Sequence, residues 1–218
     1  MNSLLIFIVG FLTLKTFSDS GSFKSINPHN NGKCSKIENV SGPEDITISK
    51  NGLAFISCDN RRATLAGSPV QGSIFLYDLN IKFPKLINLT KHINFEFHPH
   101  GISIYENENG VFIFVINHRL AENTIEVFKL FNKKLIHQNT IRDSLLISPN
   151  DILAIDQNQF YVTNDHGSSS HLGKLFEDYL QLSKSNVVYF NQNKFDVVTS
   201  DLKYANGINF NKNKTKVY

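Results

Sequence analysis

The sequence predicts an all-β protein assembled from propeller blades, and three observations carry that reading. Two polar or small residues followed by Ile and a strand-like run occur four times, as Glu44-Asp45-Ile46, His100-Gly101-Ile102, Asn150-Asp151-Ile152 and Asn206-Gly207-Ile208. The four isoleucines recur at intervals of 56, 50 and 56 residues, a spacing in the range of propeller repeats. After each dipeptide an apolar run leads through a polar turn into a second run, the pattern of a β-hairpin.

The chain opens on an apolar stretch, Leu4 to Leu14, closed by Lys15 and by small polar residues from Ser18 to Ser22. At about 1.5 Å per residue this run is too short to span a bilayer but matches the apolar region of a secretory signal. Residues 1–22 are therefore read as a signal peptide or a retained hydrophobic anchor, with a buried helix of the fold as a third reading. A polar segment from Asn27 to Lys33 follows, and residues 34–218 form the predicted propeller domain.

Within that domain the hairpins run from Ile46 through Lys50-Asn51-Gly52 to Ser57, from Ile102 through Glu106 to Gly110 and on to Ile116, and from Ile152 through Asp156 to Thr163. Further strand-like runs lie between them: Ser73 to Leu79, Ile125 to Phe131, Leu135 to Thr140, Asn186 to Phe190 and Phe195 to Thr199. These approach the four strands a blade needs. A fourth hairpin starts at Ile208 to Phe210, turns at Asn211 to Lys214 and reaches Val217-Tyr218. About three and a half blades are thus expected here, with the ring completed outside this sequence, because blades bury their faces only against neighbours.

One segment departs from this pattern. From His171 to Ser183, the residues Leu172, Leu175, Phe176, Tyr179 and Leu180 make the stripe of an amphipathic helix. It follows the loop Asn164 to Ser170 and is expected at one end of the ring, packed on the blades or serving as a lid or membrane-facing element.

Composition narrows the function classes. With 41% hydrophobic and 19% charged residues the chain is globular rather than disordered. Its formal charge of +3 comes from scattered Lys and Arg, which gives no footprint for nucleic acid. Sequons at Asn39, Asn88 and Asn213 agree with secretion. Of the two cysteines, Cys34 and Cys58, the second lies in an apolar run and reads as a buried thiol.

The chemistry is expected where the repeats converge. Innermost strands start around the central channel, so the pre-strand dipeptides, which include Glu44, Asp45, Asn150, Asp151 and Asn206, are placed near one axis. Carboxylate and carboxamide oxygens are hard ligands and suit calcium; the competing reading is that these are turn formers capping strands. The second strands end alike in Cys58-Asp59, Asn117-His118 and Asn164-Asp165, which brings His118 toward the channel with His100. Two imidazoles there suit general-base chemistry on water, and a structural role is the alternative. His98 and His100, two apart, are also compatible with zinc. No nucleophile elbow, Walker loop, dinucleotide fingerprint or Cys-x-x-Cys pair is present, so a hydrolase built on this sequence relies on metal-polarised water.

Seven stretches in order carry a closer resemblance: Gly42-Pro43-Glu44-Asp45-Ile46, Asn51-Gly52-Leu53-Ala54-Phe55-Ile56-Ser57, Pro99-His100-Gly101-Ile102-Ser103, Asn117-His118, Asn150-Asp151-Ile152, Thr163-Asn164-Asp165-His166 and Ala205-Asn206-Gly207-Ile208. From Cys34 to Tyr218 the chain resembles the paraoxonase and arylesterase family of secreted calcium-dependent lactonases. The resemblance implies a six-bladed propeller with two calcium ions in its channel and hydrolysis of lactones and aryl esters. It implies Glu44, Asn150 and Asn206 on a catalytic calcium, and Asp45, Asp151 and the main-chain carbonyl of Ile102 on a structural one. His100 and His118 match the family's histidine dyad, with Asp165 supporting His118. The N-terminal run and the helix near His171 match an anchor and a membrane-associating helix, which implies contact with a membrane or lipoprotein surface. In the family an Asp-Asn pair from a later blade completes the catalytic shell, and Cys34 matches one half of a disulfide whose partner is expected beyond Tyr218. A propeller without catalysis that binds a ligand or partner is the alternative function.

Overall fold

Short apolar runs broken by polar turns leave each strand no partner but its sequence neighbour, and the computed structural model shows that outcome. It describes residues 2–27, 29 and 32–218; Met1 of the N-terminal segment and Pro28, Asn30 and Asn31 of the polar segment lie outside these. Helix α1 (Asn2–Asp19) precedes the first sheet, made of β1 (Pro43–Ile48), β2 (Leu53–Cys58), β3 (Ser73–Asp78) and the two-residue β4 (Ile87–Asn88), with a short helix α2 (Arg61–Leu65) between β2 and β3. The second sheet comprises β5 (Pro99–Asn107), β6 (Gly110–His118), β7 (Asn123–Phe131) and β8 (Lys134–Ile141). The third comprises β9 (Pro149–Asp156), β10 (Gln159–Asn164), β11 (Ser185–Asn191) and β12 (Lys194–Leu202), with α3 (His171–Leu180) between β10 and β11. Each sheet pairs its strands antiparallel in chain order, so the fold is all-β and propeller-like. A bridge between Phe210 and Val217 starts the fourth repeat.

Turn chemistry sets the hairpins. Gly52 supplies a φ of 75° between β1 and β2, and Asn132 and Lys133, with φ of 47° and 57°, make a two-residue turn between β7 and β8 that matches the twist of the strands. Alternation then decides which way each strand faces. In β6, Ile113 and Val115 join a core with Phe55, Leu76, Phe97 and Phe128 between the first two sheets. The intervening Phe114 and Ile116 join a second core with Val127, Ile152, Phe160 and Phe190 between the second and third sheets. A strand that buries both faces in this way is fixed in register, because a slip of one residue exchanges its two cores.

The innermost strands β1, β5 and β9 are neighbours. Asp45 Oδ2 accepts the Ile102 N–H at 2.8 Å, and Asp151 Oδ2 accepts the Ile208 N–H at 2.8 Å, the same bond made from the first repeat to the second and from the third to the fourth. Between β5 and β9 there is no carboxylate but a close approach: a Cβ on Gly101 would lie 2.5 Å from the Asn150 carbonyl oxygen and 2.7 Å from Asp151 Cα. Gly101 is therefore required by space rather than by backbone angle.

Glu126 of β7 is completely buried, and the sequence gives no sign of it. It accepts from Arg119 at 2.6 Å, Thr124 at 2.7 Å, Thr140 at 2.6 Å and Asn117 at 3.1 Å, with His137 Nε2 at 2.9 Å. Burial pushes its pKa up, but these hydrogen bonds outweigh it and hold the carboxyl at about 2. Asn117 in turn accepts the His98 N–H at 2.7 Å, so this buried cluster positions the end of β6 where His118 lies.

The terminal helices differ from a packed core element. The apolar side chains of α1, among them Leu4, Phe7 and Leu14, are exposed, so a buried helix is not what forms, although among the described residues no helix is long and apolar enough to cross a membrane. Helix α3 buries no residue, and Leu172, Phe176 and Tyr179 face out rather than onto the blades. Polar contacts link the two helices: Lys15 Nζ donates to Gln181 Oε1 at 2.8 Å and Gln181 Nε2 donates to Asp19 Oδ2 at 2.7 Å. Cys58 is buried, its thiol pushed up to about 11 by burial, Cys34 is exposed, and no disulfide joins the two.

Two stability measurements follow. Gly101→Ala is expected to lower unfolding free energy by about 2 kcal/mol or more in urea, because backbone of β9 must retreat to admit the methyl group. Glu126→Gln is expected to cost about 3 kcal/mol by leaving Arg119 without its charge partner. Since the folded carboxyl is held below its ordinary value, its contribution is present above pH about 4.5 and is lost as pH falls toward about 2. The wild-type chain should lose stability across that window more steeply than Glu126→Gln.

Candidate active site

Four residues from three segments build the histidine pair. Pro99 ends the approach to β5, and the bulge between Pro99 and Ile102 turns the His100 side chain into the channel; His118 closes β6 beside it. His100 Nδ1 and His118 Nε2 lie 2.9 Å apart. Asn123 fixes the tautomers. Its amide Nδ2 is spent on the carbonyls of Leu146 at 3.0 Å and Ile147 at 3.2 Å, so its Oδ1 accepts the proton of His118 Nδ1 at 2.8 Å. A neutral His118 then offers its Nε2 lone pair, His100 donates from Nδ1, and the lone pair of His100 is left on Nε2.

That nitrogen is buried and has no hydrogen-bond partner. Glu44 Oε1 stands 2.9 Å from it, outside hydrogen-bond geometry. Two acceptors at that separation need a proton between them or a cation beside both, so His100 Nε2 and Glu44 mark a place that favours positive charge. Burial first, then the Arg61 guanidinium, lowers the His100 pKa to about 4, against the opposing charge of Asp165. Burial and the neighbouring His100 do the same for His118, also to about 4. Both rings are neutral at pH 7.

Glu44 and Asp45 open β1, Asn150 and Asp151 open β9, and Asn206 lies exposed on the segment after β12. Of these, Asp45 and Asp151 act on one another. Burial first, then the Asp45 charge and a shared hydrogen bond, raise the Asp151 pKa to about 6, although the Ile208 N–H works against them. A half-buried carboxylate pair of this kind is stabilised by sharing a proton or by a cation. Oxygen donors only, with backbone nearby, suit a hard ion such as calcium better than zinc. Among the described residues no three of His, Cys, Asp and Glu converge on one point. Asn150 Nδ2 donates to Asp165 Oδ2 at 3.1 Å, the Asn206 carbonyl accepts from Thr163 Oγ1 at 2.7 Å, and Ile102 meets Asp45 through its N–H.

His98 does not join His100 in a zinc pair: its Nδ1 faces Asp59 Oδ1 at 3.0 Å and its Nε2 lies 3.6 Å from Glu96. Asp165 is placed differently from the expected support of His118, whose Nδ1 belongs to Asn123. Its oxygens are taken by Ser148, Asn150 and His166, bonds that lower its pKa against the effect of burial. His166 bridges Asp165 at 2.7 Å and Asp178 of α3 at 2.9 Å, and Lys174 of α3 donates to Ser148 at 2.7 Å. Asp165 is thus the junction between α3 and the carboxamide of Asn150.

Several participants left no trace in the sequence reading. Asn123, Ser148 and Lys174 belong to no repeat, so nothing singled them out. Arg61 carried a faint signal: Asn60 followed by Arg61-Arg62-Ala63 is a helix start, and α2 forms there with Asn60 Oδ1 accepting the Ala63 N–H at 3.2 Å. Arg61 Nη1 lies 3.0 Å from His100 Nδ1.

Comparison with known proteins places the chain in a family. The Arylesterase family model matches residues 22–218. Serum paraoxonase/arylesterase 2 of Bos taurus is 39% identical over 196 residues, covering 85% of this chain and 55% of the relative. Serum paraoxonase/arylesterase 1 of Homo sapiens is 36% identical over 209 residues, covering 90% and 58%, and serum paraoxonase/lactonase 3 of Oryctolagus cuniculus is 34% identical over 219 residues, covering 96% and 62%. The chain spans a little over half the length of these relatives. With a family match running almost from end to end, this chain belongs to the paraoxonase/arylesterase family.

Proposed function

We propose that this chain carries the hydrolytic centre of a calcium-dependent esterase acting on lactones and aryl esters. The observation that carries the reading is the orphaned lone pair of His100 Nε2, buried, oriented by the His118–Asn123 relay and facing Glu44. The names of the relatives, which speak of arylesterase and lactonase, support the substrate class.

In this reading Glu44, Asn150 and Asn206 hold one calcium ion, and Asp45, Asp151 and the Ile102 carbonyl a second. A bound ion supplies positive charge for the oxygen of the ester carbonyl as it gains electrons. The remaining work falls to side chains. His100 Nε2 takes a proton from water as the water oxygen attacks the carbonyl carbon, and His118 stabilises the cation that forms by accepting from Nδ1. When the carbon–oxygen bond of the ester breaks, His100 returns the proton to the departing alkoxide. Asp165 offsets the positive charge on the dyad through space, as its influence on His100 indicates. The exposed apolar faces of α1 and α3 favour a membrane or lipoprotein surface as neighbour, and the serum relatives favour secretion.

Hydrolysis of an aliphatic lactone is expected to vanish on calcium chelation and return on adding calcium back. His100→Gln is expected to reduce the rate by about a hundredfold or more, as for removal of a general base. A rate that persists after chelation and in the variant contradicts the mechanism.

A further inference from the structure

Arg61 touches the proposed base without belonging to any repeated motif. Where β2 ends, Asp59 is held by His98 and Asn60 caps α2, so the backbone that presents Arg61 is fixed at the channel mouth. Its Nη1 reaches to 3.0 Å from His100 Nδ1, while the residue itself is exposed. That ring nitrogen already faces His118 Nε2 at 2.9 Å, and one nitrogen serves one partner at a time. Among the described residues the guanidinium forms no ion pair with a carboxylate. The site therefore holds a planar cation that touches the His100 ring through one nitrogen and, among the described residues, has no carboxylate to receive its fork, one imidazole ring away from the reacting nitrogen.

A neutral ester leaves that fork to water. A carboxylate accepts two parallel N–H bonds from it, the geometry that arginine fits best. Glu44 and Asp165 oppose an incoming anion in this site, so a diffuse positive field would not suffice and a direct paired contact is needed.

We propose that Arg61 is the specificity-determining residue of this site, binding a carboxylate borne by the substrate, so that esters or lactones with a free acidic group near the scissile bond are preferred. This rests on the hydrolytic reading above for the reaction, but not for the binding.

The test uses the 218-residue chain with calcium present, and benzoate and benzamide as charged and neutral probes followed by calorimetry. Benzoate is expected to bind about tenfold more tightly than benzamide, a preference abolished by Arg61→Ala and by Arg61→Gln and partly kept by Arg61→Lys. In hydrolysis, the ratio of kcat/KM for 4-acetoxybenzoate over phenyl acetate should fall about tenfold in Arg61→Ala, with the loss in KM. Equal binding of the two probes by the wild-type chain, or a preference that survives Arg61→Ala, overturns the proposal. A binding preference that depends on Arg61 in a chain that hydrolyses neither ester supports the arginine site and counts against the hydrolytic reading alone.

Discussion

The bond on which the site depends is the carboxylate of one blade accepting the first strand N–H of the next. Asp45 does this to Ile102 and Asp151 to Ile208, each at 2.8 Å. These contacts set β1, β5 and the start of the fourth repeat at a common depth around the channel. They also put two half-buried carboxylates near one another, where their charges are costly unless something positive or a shared proton offsets them. A requirement of assembly thereby produces the oxygen-lined position proposed above for a calcium ion.

The second repeat departs from this rule, and its departure makes the chemistry. His100-Gly101 stands where the neighbouring repeats have a carboxylate. Gly101 lets β9 approach closer than any side chain permits, and the position before it, Glu44 and Asn150 in the neighbouring repeats, carries an imidazole. The buried Glu126 cluster holds Asn117, Asn117 holds the backbone of His98, and the ends of β5 and β6 are fixed together there. Asn123 then orients His118 and, through it, His100. Rigid packing, then a polar relay, then one free lone pair is the order in which the structure builds its reactive group. Helix α3 is tied to the same centre by His166 and Lys174, which connects the exposed apolar surface to Asp165.

Period and alternation made the architecture legible before any coordinates. The hairpins after Ile46, Ile102 and Ile152, the helix from His171 and the convergence of the pre-strand dipeptides are all consequences of repetition, and repetition is visible in a sequence. The two-residue β4 was invisible because Ile87-Asn88 is too short to alternate, and α2 because five residues make no stripe. The finer chemistry escaped for another reason. Asn123, Glu126 and Ser148 act through contacts to residues elsewhere in the chain, and nothing in their local sequence distinguishes them from surface polar residues, while the helix start at Asn60 hints at α2 but not at the reach of Arg61 to His100. Asp165, read as a partner of His118, lies instead among Ser148, Asn150 and His166, a choice made by a tertiary contact that no motif encodes.

The central claim is that the Asp45–Asp151 pair is a cation site as well as an assembly contact. Calorimetric titration of calcium into the metal-free chain, alongside Asp151→Asn, tests it most directly. Saturable binding with a rise in thermal stability, with one bound ion fewer and a smaller rise in Asp151→Asn, is the predicted result. Calcium binding of equal strength in the variant, or none in the wild-type chain, would contradict it.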